Sequence, residues 1–405
     1  MTSKEKSTAS PMLVKNKHGK TVCAHLWTSF DIYPDGNVAP CCYLPGAIMG
    51  NINKQSIDEI RNSKEFKDFR KKMTTCGVKK TCQLCPVQLG MNHWEDYDIY
   101  KKLPKDSLVR KNAELNEQEI WNGDIELKSK VRKLKYTPSY KCNLNCYHCN
   151  QDQYREKKCD RLDKTTVEKV KEVMPTLQIF NPFGGEPFLF PETYEIMQSM
   201  LNINPECVLY TTTNANIFAQ RTIEYLNKVK IAKIAVSLDG FSKETYEKYR
   251  VNGNWELLHK NIEILADIRK KKPFTLIFNA SFNNETYKEI PVFMNICRKY
   301  DAIGKLVLLQ RKSNHDNEFW GKHIRMKRKD WIEFKQLVDN ELSDDSLHID
   351  TINALKNIKK MLKRYPYSRY TIYRNNVKQF IIDTLKRVGL FHYVFNLREK
   401  ILKRR

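Results

Sequence analysis

The run Lys141-Cys142-Asn143-Leu144-Asn145-Cys146-Tyr147-His148-Cys149 decides how the rest of this chain is read. Its cysteines are spaced C-x3-C-x2-C and stop at three; Cys159 follows in a charged stretch. An iron–sulfur cube of four irons wants four ligands, and cysteine thiolate is the usual one. Three thiolates on one tight loop hold three irons and leave the fourth open to bind and activate a small molecule. A closed site only holds structure or passes electrons. Zinc is the competing reading, but zinc sites prefer paired C-x2-C knuckles with a second pair nearby.

Around this loop, short apolar runs alternate with helical patterns. The spacing predicts strands at Lys133–Pro138, Leu177–Phe183, Cys207–Thr213, Ile231–Leu238, Phe274–Phe282 and Lys305–Gln310. Amphipathic stretches lie between them at Lys164–Met174, Glu192–Leu201, Thr222–Val229, Trp255–Ile268 and Ile290–Tyr300. Such alternation argues for a parallel sheet of βα units, an α/β fold. In barrels of this kind the functional loops follow the C-terminal ends of the strands.

The motifs fall at those ends. Strand 1 runs into the cysteine loop. Strand 2 ends in Gly184-Gly185-Glu186-Pro187, where two glycines permit close backbone approach to a ligand and Glu186 offers an acceptor to a cationic amine. Strand 3 ends in Thr211-Thr212-Thr213-Asn214-Ala215, and strand 4 in Ser237-Leu238-Asp239-Gly240, whose hydroxyl and carboxylate suit ribose hydroxyls. The helix Glu244-Thr245-Tyr246-Glu247-Lys248-Tyr249-Arg250 follows; Asn279 and Ser281 lie on strand 5.

This order of motifs resembles the radical SAM superfamily. The resemblance implies a partial (β/α)6 TIM-type barrel over residues 130–312, with Cys142, Cys146 and Cys149 as catalytic ligands of a [4Fe-4S] cluster. The open iron would be chelated by S-adenosylmethionine. The reduced cluster would pass an electron into the sulfonium, and the resulting 5′-deoxyadenosyl radical would take hydrogen from substrate. Cofactor-binding positions implied are His148 at the adenine, Gly184, Gly185, Glu186 and Pro187 at the methionine ammonium, Thr213 and Asn214, Ser237 and Asp239 at the ribose, and Arg250 nearby. Ala215 departs from the family, which carries glycine there.

A second cysteine set precedes the barrel. Cys23-Ala24-His25-Leu26-Trp27 leads to Asp35-Gly36-Asn37-Val38-Ala39-Pro40-Cys41-Cys42, then Met49-Gly50-Asn51-Ile52, a helical stretch Ile57–Phe69, and Cys82-Gln83-Leu84-Cys85. The Pro34-Asp35-Gly36 turn between Phe30–Tyr33 and Asn37–Ala39 predicts a β-hairpin. The arrangement resembles the SPASM or twitch extension, which implies an auxiliary [4Fe-4S] cluster on Cys23, Cys41, Cys82 and Cys85, with Cys42 and Cys76 as alternates. Four cysteines suit structural zinc equally well. In relatives of this type the extension follows the barrel; here it comes first, over residues 21–90, after a flexible segment 1–20 and before a helical connector, 91–129, that contains Trp94.

Composition bounds the rest. The chain has 405 residues and twelve cysteines, and 41% of its residues are hydrophobic, enough for a globular core. Met1 to Leu13 has no apolar core of a signal peptide, and no run approaches a membrane span. Cysteine wealth of this kind points to metal chemistry in a reducing cytoplasm. Of the net charge of +24, much sits in a basic helical extension within 313–405: fifteen Lys and Arg face only Asp383 and Glu399 between 353 and 405. There Val377, Phe380, Ile381, Thr384, Leu385 and Val388 fall at helical spacing, and Val394, Leu397 and Ile401 continue the pattern. Such helices suit packing on the barrel, an anionic membrane surface as a peripheral association, or nucleic acid; no nucleic-acid-binding signature supports the last.

The expectation is therefore a radical SAM oxidoreductase served by an electron donor such as flavodoxin or ferredoxin. A peptide is the first expectation for its substrate, with a sugar or small metabolite next and RNA third. About twenty residues precede Cys23, fewer than a leader-binding domain needs. A reading from another class is a non-catalytic metal- or nucleic-acid-binding protein.

Overall fold

A computed structural model describes residues 10–44, 46–82, 94–95, 97–149, 151, 161–283, 285–308, 328–344 and 346–364, with 381 and 384. The chain divides into two compact units, residues 1–279 and 280–405.

The first unit is built on a sheet. Its barrel strands are β4 (Lys133–Tyr136), β5 (Ile179–Pro182), β6 (Val208–Thr213), β7 (Lys230–Ser237) and β8 (Thr275–Phe282, which continues past the unit's border). Neighbours pair in parallel: Leu134 faces Phe180, Leu209 faces Phe180 and Ile231, and Val236 faces Phe278. Each strand lies within the range its apolar run predicts, give or take a residue or two. Side chains alternate between two environments. Leu134, Tyr136, Phe180, Leu209, Ile234 and Val236 are wholly buried. On β4 this face meets the helix Thr165–Val173, because Tyr136 Oη and Thr166 Oγ1 lie 3.0 Å apart. The other face is the lumen of a partial barrel, and it carries Lys133, Lys135, Tyr210, Lys233 and Ser237.

The N-terminal hairpin forms as the Asp-Gly turn predicts. β1 (Ser29–Ile32) pairs antiparallel with β2 (Asn37–Ala39), and β3 (Gly50–Asn51) follows on β2. Gly36 closes the turn at φ 81°, a left-handed conformation that favours glycine. What periodicity does not predict is where the hairpin goes. β1 lies parallel to β4, with Ser29 opposite Lys133 and Ile32 opposite Tyr136. The order is thus β8-β7-β6-β5-β4-β1-β2-β3, one continuous sheet. A partial barrel leaves a strand edge that needs a partner, and β1 supplies it.

The stretch Ile57–Phe69, expected as one helix, is two. Ser56 caps Ile57–Arg61 in a capping box with Glu59, and Ser63 caps Lys64–Thr81. The connector carries a 3-10 turn, Tyr97–Lys102, and the helix Leu108–Asn122, ended by Gly123 at φ 77°. Buried polar groups fasten it. Arg61 donates to Trp27 O at 2.5 Å and to Ser129 O at 3.1 Å, Asn116 donates to Trp27 O at 3.0 Å, and Glu119 accepts from Ser129 N at 3.0 Å. Burial pushes the Arg61 guanidinium down to about 10, partly opposed by Glu119 and Asp58.

The second unit holds the sixth βα strand, Ile303–Leu308, and the helices Ile290–Lys299, Arg328–Leu342 and Ile349–Arg364. Gly304 N donates to Thr351 Oγ1 at 2.9 Å, and Arg298 to Glu341 at 2.7 Å. Nearly all of the basic extension beyond 364 lies outside the described residues, and its amphipathic face with it. Among the described residues, no helix is long and apolar enough to cross a membrane.

Candidate active site

The cysteine loop leaves the C-terminal end of β4 and is held from two sides. Asn145 N donates to Val251 O at 2.9 Å and Tyr147 N to Tyr249 O at 3.0 Å, so the end of the Lys243–Tyr249 helix grips the loop. From the other side comes the glycine pair. Gly185 N donates to Ser139 O at 3.3 Å and Glu186 N to Lys141 O at 3.2 Å. A Cβ on Gly185 would sit 1.9 Å from Lys141 O, and one on Gly184 2.4 Å from Ser139 O. The close approach these glycines permit is to the backbone leading into the cysteine loop, not only to a ligand.

Each cysteine sulfur accepts an N–H. Cys142 Sγ receives Leu144 N at 3.4 Å and Asn214 Nδ2 at 3.5 Å; Cys149 Sγ receives Gln151 N at 3.4 Å; Cys146 Sγ receives Arg250 Nη1 at 3.5 Å. Donors of this kind favour the thiolate, the form that ligates iron. Among the described residues no three His, Cys, Asp or Glu side chains converge on a single ion. A cube takes each thiolate at a different corner, so its ligands need not converge. Three sulfurs with N–H donors on one loop, cradled by glycines, fit such a cluster.

Glu186 is fully buried. Its carboxylate accepts from Thr213 Oγ1 at 2.8 Å, Asn214 N at 2.8 Å and Phe188 N at 3.4 Å. Burial pushes its carboxyl up to about 7, against the lowering effect of those three donors and Arg250. It therefore ties the second strand-end motif to the third. In that third motif, Ala215 holds φ 55°, a left-handed conformation open to the family's glycine at no cost. Thr213 Oγ1 takes its N–H at 3.0 Å, and Asn261 donates to its carbonyl at 2.8 Å.

The fourth strand end differs from its expected use. Asp239, buried and at φ 66°, bonds His148 Nε2 at 3.0 Å and also pairs with Arg250. The residues expected at adenine and ribose thus bind each other. With Arg250 on Cys146 they form a chain from the fourth strand end to the cysteine loop, which spacing alone does not signal. Burial works against the charge on Arg250, but Asp239 and Cys146 outweigh it and raise its pKa. Ser237 stands opposite Asn279 in the parallel ladder, half-buried.

In the N-terminal set, Cys23 ends a short strand, Thr21–Cys23, and Cys82 caps the Lys64–Thr81 helix. Cys41 is half-buried just after β2, while Cys42 and Cys76 are exposed. Burial pushes the Cys41 thiol up to about 12. Cys85 and Cys159 lie outside the described residues.

An α/β partial barrel with three cysteines on the loop after its first strand, and with Gly-Gly-Glu-Pro after its second, defines a class of cluster-dependent radical enzymes. Comparison with known proteins agrees. The radical SAM superfamily model matches residues 136–297, and the SPASM model, an iron–sulfur cluster-binding domain, matches residues 23–86. Residues 136–297 thus carry a radical SAM superfamily domain, and residues 23–86 a SPASM domain. Domains of these kinds carry a [4Fe-4S] cluster with S-adenosylmethionine and an auxiliary iron–sulfur cluster, respectively.

Similar curated proteins include a probable GTP 3′,8-cyclase of Methanococcus maripaludis, 28% identical over 44% of this chain and 58% of that protein. An AdoMet-dependent heme synthase of Methanosarcina barkeri is 24% identical over 44% of this chain and 50% of that one. The chain thus spans little more than half the length of these relatives. Among solved structures, anSMEcpe with bound AdoMet aligns over 53% of this chain and 60% of its own, at 20% identity and a TM-score of 0.42. Streptococcus suis SuiB aligns over 69% and 62%, at 15% identity and a TM-score of 0.40.

Proposed function

We propose that this protein is a radical SAM oxidoreductase in which Cys142, Cys146 and Cys149 hold the catalytic [4Fe-4S] cluster and the N-terminal cysteines hold an auxiliary one. The observation that carries this is the N–H donor on each of the three sulfurs, two of them from Asn214 and Arg250 on other motifs. When bound, the cluster and S-adenosylmethionine supply a 5′-deoxyadenosyl radical that abstracts hydrogen. The chain's own residues set the frame. Asn214 and Arg250 steady the cysteine thiolates, Gly184 and Gly185 let the second strand end close on the loop, and Glu186 offers its remaining acceptor capacity to the methionine ammonium. Ser237 and Pro187 line the nucleoside and methionine sides. Cys23, Cys41, Cys82 and Cys85 are the proposed auxiliary ligands, with electrons delivered by a flavodoxin or ferredoxin.

For the substrate, a small metabolite is favoured over the expected peptide. The peptide reading is supported by the SPASM module, whereas the similar curated proteins named above are a probable GTP 3′,8-cyclase and a heme synthase.

Anaerobic reconstitution with dithionite and S-adenosylmethionine tests the reading. It predicts 5′-deoxyadenosine from the wild type and none from the Cys142/Cys146/Cys149 triple Ala variant; equal yields would sink it. Iron and zinc analysis of a Cys23/Cys41/Cys82/Cys85 quadruple Ala variant assigns the second site: lost iron means a cluster, and lost zinc means a structural ion.

A further inference from the structure

The backbone sets Cys146 opposite Arg250. Asn145 and Tyr147, on either side of the cysteine, donate to the carbonyls of Val251 and Tyr249, on either side of the arginine, at 2.9 and 3.0 Å. Arg250 itself is pinned where the Lys243–Tyr249 helix ends: its N donates to Tyr246 O at 2.8 Å, and its carbonyl accepts from Gly253 N at 2.6 Å. From this position Nη1 reaches Cys146 Sγ at 3.5 Å. The second amino group, Nη2, pairs with Asp239, whose carboxylate also bonds His148 Nε2 at 3.0 Å. These groups lie out of water: the side chains of Arg250 and Asp239 are 11% and 4% exposed, and Cys146 is buried.

Charge distinguishes this contact. Leu144 N and Asn214 Nδ2 on Cys142, and Gln151 N on Cys149, are neutral donors, whereas a guanidinium is always charged in a protein. Its buried Nε has no acceptor among the described residues, so the protein alone leaves it incompletely satisfied. A thiolate-held cluster gains negative charge when it is reduced. A cation and N–H donors at its sulfur favour that form and raise the reduction potential, and burial strengthens the effect. Asp239 pulls the other way, since its carboxylate offsets the charge on Arg250. It keeps that carboxylate in place at φ 66°, a left-handed backbone that strains any residue with a side chain.

We propose that Arg250 is a positioning residue that sets the reduction potential of the cluster on Cys142, Cys146 and Cys149, with His148 and Asp239 fixing its guanidinium and Asp239 moderating its charge. This rests on the cluster reading above and names what governs its electron step. That step moves one electron: the flavodoxin or ferredoxin is oxidised, the cluster is reduced, and no bond forms or breaks at Arg250.

The test is a redox titration of the full chain, reconstituted anaerobically without S-adenosylmethionine and followed by electron paramagnetic resonance. The signal absent from the Cys142/Cys146/Cys149 triple Ala variant belongs to the catalytic cluster. At a fixed potential, Arg250→Met should lower the ratio of reduced to oxidised cluster roughly tenfold, a fall in midpoint of about 59 mV for one electron. Asp239→Asn should move the midpoint upward, because the guanidinium then acts with its whole charge. If Arg250→Met does not hold its cluster, Arg250→Gln takes its place, keeping an N–H donor without the charge, and its midpoint should also fall. Lys243, exposed on the helix that leads to Arg250 and paired with Glu256, supplies the control Lys243→Met, expected to titrate as the wild type does. Opposite shifts at positions 250 and 239 are the expected result. Any other pattern, including shifts of one sign as loosened packing would give, overturns the proposal, while 5′-deoxyadenosine formation by the wild type leaves the broader reading standing. A triple Ala variant that loses no signal would instead overturn the broader reading.

Discussion

Burial of Glu186 against Thr213, Asn214 and Phe188 raises its carboxyl from the ordinary 4.5 to about 7, so the folded cofactor-free protein keeps a proton that the unfolded chain releases. Stability from this group is fully present below about 4.5 and is lost as pH rises through 7, by roughly 3 kcal/mol at most. Glu186→Gln should flatten that part of the pH profile, seen by denaturant unfolding of wild type and variant between pH 5 and 8. It should also lower 5′-deoxyadenosine yield, because an amide nitrogen facing Asn214 N sets donor against donor. Ala215 permits a second check. Its φ of 55° costs an L-residue about 1–2 kcal/mol, offset by the entropy cost of a glycine. Ala215→Gly should therefore be neutral or up to about 1 kcal/mol stabilising in thermal unfolding; a clear loss would show that the strain is not there. Glu186 and Asn214 stand out in sequence because their motifs follow strands. The partnership of His148 with Asp239 does not, since the two are 91 positions apart and neither spacing nor composition links them.

Strands and loops constrain one another where Gly184-Gly185 meets Ser139–Lys141. With Lys141 O only 1.9 Å from a Cβ at 185, Gly185→Ala must push two backbones apart. The expected result is about 3 kcal/mol of destabilisation and a catalytic cluster that fails to assemble, read as less iron per chain after reconstitution. Barrel strands were legible because each is an apolar run between turn residues, and the helices because their buried residues recur every three or four positions. The break at Asn62-Ser63 was harder to see, because a serine cap inside a charged stretch leaves the apolar period almost undisturbed.

Because β1 is hydrogen-bonded to β4, the N-terminal cysteine module and the barrel share a sheet within one compact unit. Trp27 and Phe30 are fully buried there, and Arg61 spans Trp27 and Ser129. A chain beginning after residue 90 would expose the β4 edge and strand these groups. It should be recovered as aggregate or unfolded protein rather than as a free-standing barrel, as size-exclusion chromatography and circular dichroism would show. Arg61→Met should cost about 3–5 kcal/mol, since it strips Trp27 O, Ser129 O and Ser129 Oγ of their buried donor and removes the cation near the buried Glu119. A soluble, S-adenosylmethionine-binding barrel from the truncated chain would show the two modules to be independent.

Cysteine spacing, glycine pairs at strand ends and βα alternation are local patterns, and local geometry imposes them, so the partial barrel and its cluster loop could be read from the residues in order. The parallel pairing of residues 29–32 with 133–136, the engagement of Asp239 by His148 and Arg250, and the gathering of Lys133 and Lys233 over Tyr210 join residues far apart in the chain. Such contacts arise from closing the sheet and filling its lumen, and no local period encodes them.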